Sequence, residues 1–524
     1  MIKNIMKRYL DKNLYRIMFI TQVLVGVNII LFLILYVGTA LFIAVMTYVT
    51  IFSFFVGSFL YLRNVSFIRK HMHLLKRRVY SMSDIVSISV EKGRDIPKIA
   101  VLVPARNEGR VIENTIRRLT EFDYPKDSYK IYVVVDEREL GDNVECFTKD
   151  VAKETILDLQ KKFSVGFVNC VEVPEWYSGK LGDFTRSYSH STKGRALNYC
   201  LEYMRYTGDA EEIEMIGILD ADGRLDVNAL KEIAALRMTK GSKILQGVVL
   251  GVSNIKNINI VGLGALIEGA THHLTFMSHR LTSAKKKLLF LAGTNYFFER
   301  ELLEEVGGWD AGSLVEDAEL GLRTYILSGH TAEWYSCPEI EQSPANLPTY
   351  FKQRERWARG HFQLIPFVVE SKLTIPHKLY LLAKIYANAY SSIWHLGLPV
   401  VGWFLMGIGA YAFLPVGFQF VMLYLLFASV TIYDFYGFMY RSLAEYMQPY
   451  LNFKITRAHK VKMSIALFCY TPFHFIIQAI PRYYAPFKYY RSPDAPQIWY
   501  KTERTEEISE MPRQSAESMR PALA

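Results

Sequence analysis

From Ile17 to Leu62 the chain carries no Asp, Glu, Lys or Arg. A membrane-crossing helix takes about 20 apolar residues, so the run has room for two. It is too long for the apolar core of a signal peptide. A second block, Leu379–Tyr440, holds Lys384 and Asp434 as its only charged residues, both near its ends. Two more spans are expected there, near Ile385–Phe413 and Gly417–Gly437. Lys7, Arg8, Lys12 and Arg16 precede the first run, and Arg63, Arg69 and Lys70 follow it. Basic flanks of this kind put both ends on the cytosolic side. The expected location is therefore the cell membrane, multi-pass, with the polar chemistry cytosolic and membrane lipids as partners.

The formal net charge of +10 has the same explanation, because the basic residues gather at span ends. Nucleic acid is not expected as a partner. The five cysteines show no metal-ligand spacing, and no disulfide is expected. The segments read as a cytosolic N-terminus (1–16), two transmembrane helices (17–62), a cytosolic catalytic domain ending in interfacial helices (63–378) and two more transmembrane helices (379–440). An interfacial or re-entrant helix, or alternatively a further span, follows with a gating-loop-like motif (441–502), then a tail rich in Glu, Ser, Arg and Pro (503–524) whose composition suits disorder.

Between the apolar blocks, strand-like and helix-like patterns alternate. Ile99–Val103, Lys130–Val135, Val165–Val171 and Ile213–Leu219 are short apolar runs of buried-strand type. Val111, Ile112, Thr115, Ile116 and Leu119 recur at helical spacing. Such alternation predicts an α/β fold with a mainly parallel sheet. Ligands of these sheets bind at the carboxyl ends of the strands, where Asp136 and Asp220 fall.

Asp220-Ala221-Asp222 leaves the fourth run with two carboxylates at i and i+2. Hard oxygen donors so placed suit Mg²⁺ or Mn²⁺ against a diphosphate, although Asp-x-Asp is also common in surface turns. Asp136 reads either as a turn residue or as a contact to a nucleotide's base or ribose. Pro104-Ala105-Arg106-Asn107-Glu108 can reach the same nucleotide, or be a helix start capped by Asn107. Lys193, before Gly194-Arg195-Ala196-Leu197-Asn198, is a point charge for a diphosphate or a basic helix start. Glu316-Asp317 opens a helical pattern after a glycine-rich approach. It offers a general base, or carboxylates that favour a helix N-terminus. Gln353, Arg356 and Trp357 stand at i, i+3 and i+4 and share one helix face. Arg356 suits a diphosphate and Trp357 a sugar face, while a helix lying on a membrane explains the pattern equally.

As a set, Asp136, Lys193 with Ala196 and Asn198, Asp220-x-Asp222, Glu316-Asp317 and Gln353-x-x-Arg356-Trp357 resemble the membrane-embedded family 2 glycosyltransferases, the class of cellulose, chitin and hyaluronan synthases. The resemblance runs from about Lys98 to Gln363. It implies a GT-A (Rossmann-like) cytosolic catalytic domain inserted between α-helical transmembrane segments, a nucleotide-diphosphate donor, usually UDP-linked, and a divalent metal. It makes Asp317 the base and Asp222, with Asp220, the metal ligands. Glu108, Asp136, Lys193, Gln353 and Arg356 join them in holding the donor. Gly293, Thr294, Glu316 and Trp357 would contact the acceptor. Trp499, Lys501, Thr502 and Arg504 look similar to the family's gating loop. Two departures stand out: Val315 replaces the usual Thr before Glu-Asp, and no span follows Trp499. The implied function is processive, inverting polymerisation of a β-linked polysaccharide, translocated across the membrane. The alternative is non-processive transfer of one sugar to a lipid acceptor.

Overall fold

The structure is a computed structural model. It describes residues 78–386, except 142–145, 163–166, 184, 189, 252–259, 272–287, 289 and 345, together with 456, 477, 480–489 and 491. Residues 17–62, most of 379–440, the Trp499–Arg504 motif and the tail therefore lie outside the described residues. The chain divides into two compact units with the boundary between Thr349 and Tyr350. Each is taken by itself.

The first unit is built on a seven-stranded sheet of order β3-β2-β1-β4-β8-β6-β9. Its strands are β1 (Ile99–Ala105), β2 (Tyr129–Asp136), β3 (Val168–Val173), β4 (Met215–Ile218), β6 (Ile244–Gln246), β8 (Tyr296–Glu299) and β9 (Glu333–Trp334). β5 (Arg224–Leu225), β7 (Val249–Leu250) and β10 (Glu339–Ile340) form a second sheet of order β5-β10-β7. β1 pairs parallel with both β2 and β4, and β2 parallel with β3. β8 runs antiparallel between β4 and β6. Every residue of β1 is buried. This is how a strand covered on both faces reads, as a continuous apolar run without alternation.

The helix Ile112–Leu119 turns Ile112, Thr115, Ile116 and Leu119 inward onto one side of the sheet. The helix Lys193–Tyr206 packs Ala196, Leu197, Cys200, Leu201 and Met204 into the core of the other. Strand limits shift from the sequence expectation. β1 continues through Pro104 to Ala105, and β3 runs on to Val173. β8 has no counterpart among the strands expected from the sequence, because its four residues sit antiparallel between strands from distant parts of the chain.

The expected insertion of a catalytic domain between transmembrane helices is corrected. No helix among the described residues is long and apolar enough to cross a membrane. What the structure supports is the α/β fold itself.

In the second unit the helix Leu347–Gln363 buries Glu355, which pairs with Arg359 at 3.1 Å and Lys488 at 3.3 Å. His361 Nδ1–H donates to Trp357 O at 2.7 Å. Burial, the largest influence, pulls the His361 pKa below its ordinary value. The bond to Trp357 opposes this, and Arg482 adds to the lowering.

Two predictions follow from this packing. A β-carbon at Gly217 in β4 would run into the Phe297 ring on the neighbouring strand. Gly217→Ala should therefore cost about 1–3 kcal/mol, read as a lower urea midpoint at unchanged slope. His361 has a depressed folded pKa, so the unfolded chain takes up the proton first as pH falls. Its contribution to stability is present above about pH 6.5 and is lost below it. Wild type should therefore lose more melting temperature than His361→Gln between about pH 7.5 and pH 5.5, and equal losses would remove His361 from the account.

Candidate active site

β1 lies between β2 and β4, and the strand order reverses across it. The crevice outside the carboxyl ends at such a switch point is where open α/β sheets bind ligands. Glu108 follows β1, Asp136 ends β2, and Asp220 follows β4, so all three come to this edge. Asn107 is left-handed, with φ 57°, and its backbone N–H donates to Glu139 at 2.7 Å. The helix Ile112–Leu119 takes Val111 as its N-cap, so Asn107 is not the cap. The Glu108 N–H donates to Thr148 Oγ1 at 2.7 Å, and the residue is buried.

The Asp136 carboxylate accepts from Ser191 Oγ at 2.5 Å, Arg195 Nη1 at 2.7 Å and Arg138 N at 3.0 Å. Arg195 is wholly buried and also donates to Tyr177 O at 2.7 Å and to Pro174 O. Asp136 is thus tied to the segment after β3 as well as to its own strand.

Thr192 caps the helix Lys193–Tyr206, its Oγ1 accepting from Arg195 N at 3.2 Å. This places Lys193 on the first turn, pointing its ammonium at Asp220 and at Gly293 O, the latter at 2.7 Å. Burial, the largest influence on Lys193, favours the neutral amine. The carboxylates of Asp220, Glu316 and Asp317 outweigh it and raise the pKa above the ordinary lysine value. A β-carbon at Gly293 would stand 3.5 Å from Asp317 Oδ2. Lys193, Asp220, Gly293, Glu316 and Asp317 therefore form one electrostatic cluster.

Glu316 and Asp317 are the first two residues of the helix Glu316–Ser328, whose N-cap, Val315, makes no side-chain capping bond. Neither carboxylate is the cap, though both gain from the helix dipole. The glycine-rich approach is held rigidly. Asn198 Nδ2 donates to Gly179 O at 2.6 Å and Trp309 O at 2.7 Å, and Asn198 Oδ1 accepts from Trp309 N at 2.9 Å. Arg323, buried and paired with Glu319 at 2.8 Å, donates to Val306 O and to Gly308 O.

Asp222 is buried and accepts from Gln342 N at 3.4 Å, while the Asp220 side chain is 32% exposed. The Asp220 N–H donates to Thr294 Oγ1 at 2.9 Å, and Thr294 Oγ1 donates to Glu339 at 2.7 and 2.8 Å. The hydroxyl expected at the acceptor is committed to these bonds. Glu339 is fully buried, and burial first, then Asp220, Glu341 and Asp222, holds its carboxyl well above the usual range.

No group of three or more His, Cys, Asp or Glu able to hold a metal exists among the described residues. Asp220 and Asp222 still supply the hard oxygen donors of a Mg²⁺-type site, which uses one or two carboxylates and takes its remaining ligands from water and substrate phosphate. The residues fit an ion completed by a diphosphate, not an all-protein cage.

Gln353, Arg356 and Trp357 belong to the second unit. There the Arg354 guanidinium lies 4.3 Å from the centre of the Trp357 ring and donates to Gln353 Oε1 at 2.6 Å. The stacking partner seen at Trp357 is thus a neighbouring cation. Sequence reasoning missed Arg354, Arg195, Arg323 and Glu339. Arg195 sits inside the quoted Lys193–Asn198 motif, which was its only signal. Nothing local marks Glu339.

The family model described as "Glycosyl transferase family group 2" matches residues 215–439. The probable glycosyltransferase YdaM of Bacillus subtilis is 29% identical over 272 residues, 52% of this chain and 57% of the relative. A beta-monoglucosyldiacylglycerol synthase of Synechocystis is 22% identical over 267 residues, 51% of this chain and 48% of the relative. The chain thus spans about half the length of these curated relatives. Among solved structures, mannosyltransferase PcManGT from Pyrobaculum calidifontis, in complex with GDP-Man and Mn2+, aligns over 84% of this chain and 99% of its own, with 16% identity and a TM-score of 0.47.

These findings correct the processive synthase reading. The matches are to a transferase domain, and no described helix could form the membrane passage that polymer translocation needs. What the comparisons support is a glycosyltransferase domain similar to family group 2 over residues 215–439.

Proposed function

We propose that this chain moves one sugar from a UDP-linked donor to the hydroxyl of a lipid acceptor, with inversion and without polymerisation. The observation that carries the reading is the buried Lys193 ammonium, which gathers Asp220, Gly293 O and the Glu316-Asp317 pair at the sheet's carboxyl edge. The lipid acceptor is supported by the relatives named as beta-monoglucosyldiacylglycerol synthases.

In this reading Asp136 and Glu108 hold the nucleoside end of the donor. Asp317 takes the acceptor hydroxyl's proton as its oxygen bonds to the anomeric carbon. The carbon–oxygen bond to the diphosphate breaks, and the nucleoside diphosphate leaves with the electron pair. A Mg²⁺ or Mn²⁺ ion held by Asp222 and Asp220 would offset the charge that gathers on the leaving group. Lys193 keeps Asp220 in place and adds positive charge beside it. The Asp317 carboxylate stands on the first turn of a helix and close to Gly293, a glycine with φ 78°. A side chain at Gly293 would narrow the space in front of the base.

The test is incubation of purified protein with a panel of UDP-sugars, Mn²⁺ and diacylglycerol in mixed micelles, with products resolved by mass spectrometry. A single sugar added to the lipid is expected, and a polymer ladder would overturn the reading. Asp317→Asn should lower the transfer rate by about 10²- to 10⁴-fold while leaving UDP binding intact. Near wild-type turnover in that variant would remove Asp317 as the base.

A further inference from the structure

Glu339 has no part in the mechanism above, yet it is a buried carboxyl aimed at its centre. It stands in β10, where its backbone N–H donates to Val248 O at 2.8 Å and its Cα pairs with Leu225 of β5. β5 begins directly after the Asp220–Gly223 turn, so β10 lies against the strand that this turn feeds. Both Glu339 oxygens receive the Thr294 hydroxyl, and that hydroxyl in turn accepts the Asp220 N–H. A hydroxyl carries a single proton. Donation to Glu339 therefore leaves the Thr294 lone pairs turned towards Asp220. The turn itself is tight, closed by Gly223 N donating to Asp220 O at 2.8 Å. A β-carbon at Gly223 would strike Glu339 Oε1, so carboxyl and turn backbone are in contact.

We propose that Glu339 is a positioning residue. Through Thr294 it fixes the backbone of the Asp220–Gly223 turn, and so the direction in which Asp220 and Asp222 present their carboxylates to a divalent cation and diphosphate. The proposal rests on the reading of those two aspartates given above. It concerns only how they are held. Partners behind metal-binding groups commonly change metal affinity by about 10- to 100-fold when removed.

The full chain is compared as wild type, Glu339→Ala, Glu339→Gln, Thr294→Val and Thr294→Ser. Amide hydrogen exchange is followed on the peptide that contains Asp220, and Mn²⁺ binding is titrated by electron paramagnetic resonance with UDP present. In Glu339→Ala the Asp220 peptide should exchange faster, and half-saturating Mn²⁺ should rise by about 10- to 100-fold. Thr294→Val, which keeps the size of the side chain, should reproduce both effects even if Glu339→Ala folds poorly. Glu339→Gln and Thr294→Ser keep the acceptor and the hydroxyl, and should stay within about two-fold of wild type, well inside the range set by loss of one hydrogen bond. Unchanged exchange in Glu339→Ala and Thr294→Val would overturn the proposal, as would a Glu339→Gln variant as impaired as Glu339→Ala. If wild type binds neither Mn²⁺ nor UDP, the donor-site reading fails, while the exchange data still decide whether Glu339 holds the turn.

Discussion

A charged amine buried among carboxylates organises this site. Removing an ammonium from water costs several kcal/mol, and its attraction to nearby carboxylates repays this only when the geometry is good. Lys193 meets that condition with a bond to Asp220, a bond to Gly293 O and the field of Glu316 and Asp317. The dependence runs both ways. Without the ammonium, three carboxylates would face one another across a small space, and like charges there would push protons onto them. One lysine on the first turn of its helix thereby joins the end of β4, the segment before β8 and the start of the helix Glu316–Ser328.

The irregular segments around the cluster are held by the same device used repeatedly. Backbone carbonyls outside helices and strands need donors when buried. Arg195 serves the segment after β3, Arg323 serves Val306 and Gly308, and Asn198 joins Gly179 to Trp309. Each is a buried multi-donor side chain on a helix that reaches backbone carbonyls of a neighbouring loop. Gly194 shows how tightly these parts meet, since a β-carbon there would stand 3.0 Å from Asp310 O. The loops near Glu316 and Asp317 are thus held by side chains from the helices behind them.

Some of this was legible in the sequence. Ile99–Val103 and Ile131–Val135 announce themselves because a strand covered on both faces is apolar at every position. Asp136 and Asp220 stand out because each ends such a run. The two-residue strands β5, β7, β9 and β10 carry no pattern, being too short for any period to show. β8 failed for another reason, since its place beside β4 depends on pairing with residues about eighty positions away. The uncharged blocks lie almost wholly outside the described residues, among which no helix is long and apolar enough to cross a membrane.

By itself, the sequence determined that Asp136 and Asp220 reach the carboxyl end of the sheet, because strand and helix periodicity is local and an Asp after a buried run must leave at its carboxyl end. It could not say whom each group binds. The Thr294 hydroxyl joins Asp220 to Glu339, and Trp357 carries Arg354 over its ring. Glu339 carries no local signal and Arg195 only its place in the Lys193–Asn198 motif, because a buried charge gets its meaning from partners distant along the chain. Those pairings arise only once the strands have closed into a sheet and burial has removed water as the competing partner, and for that reason they were decided by the tertiary structure alone.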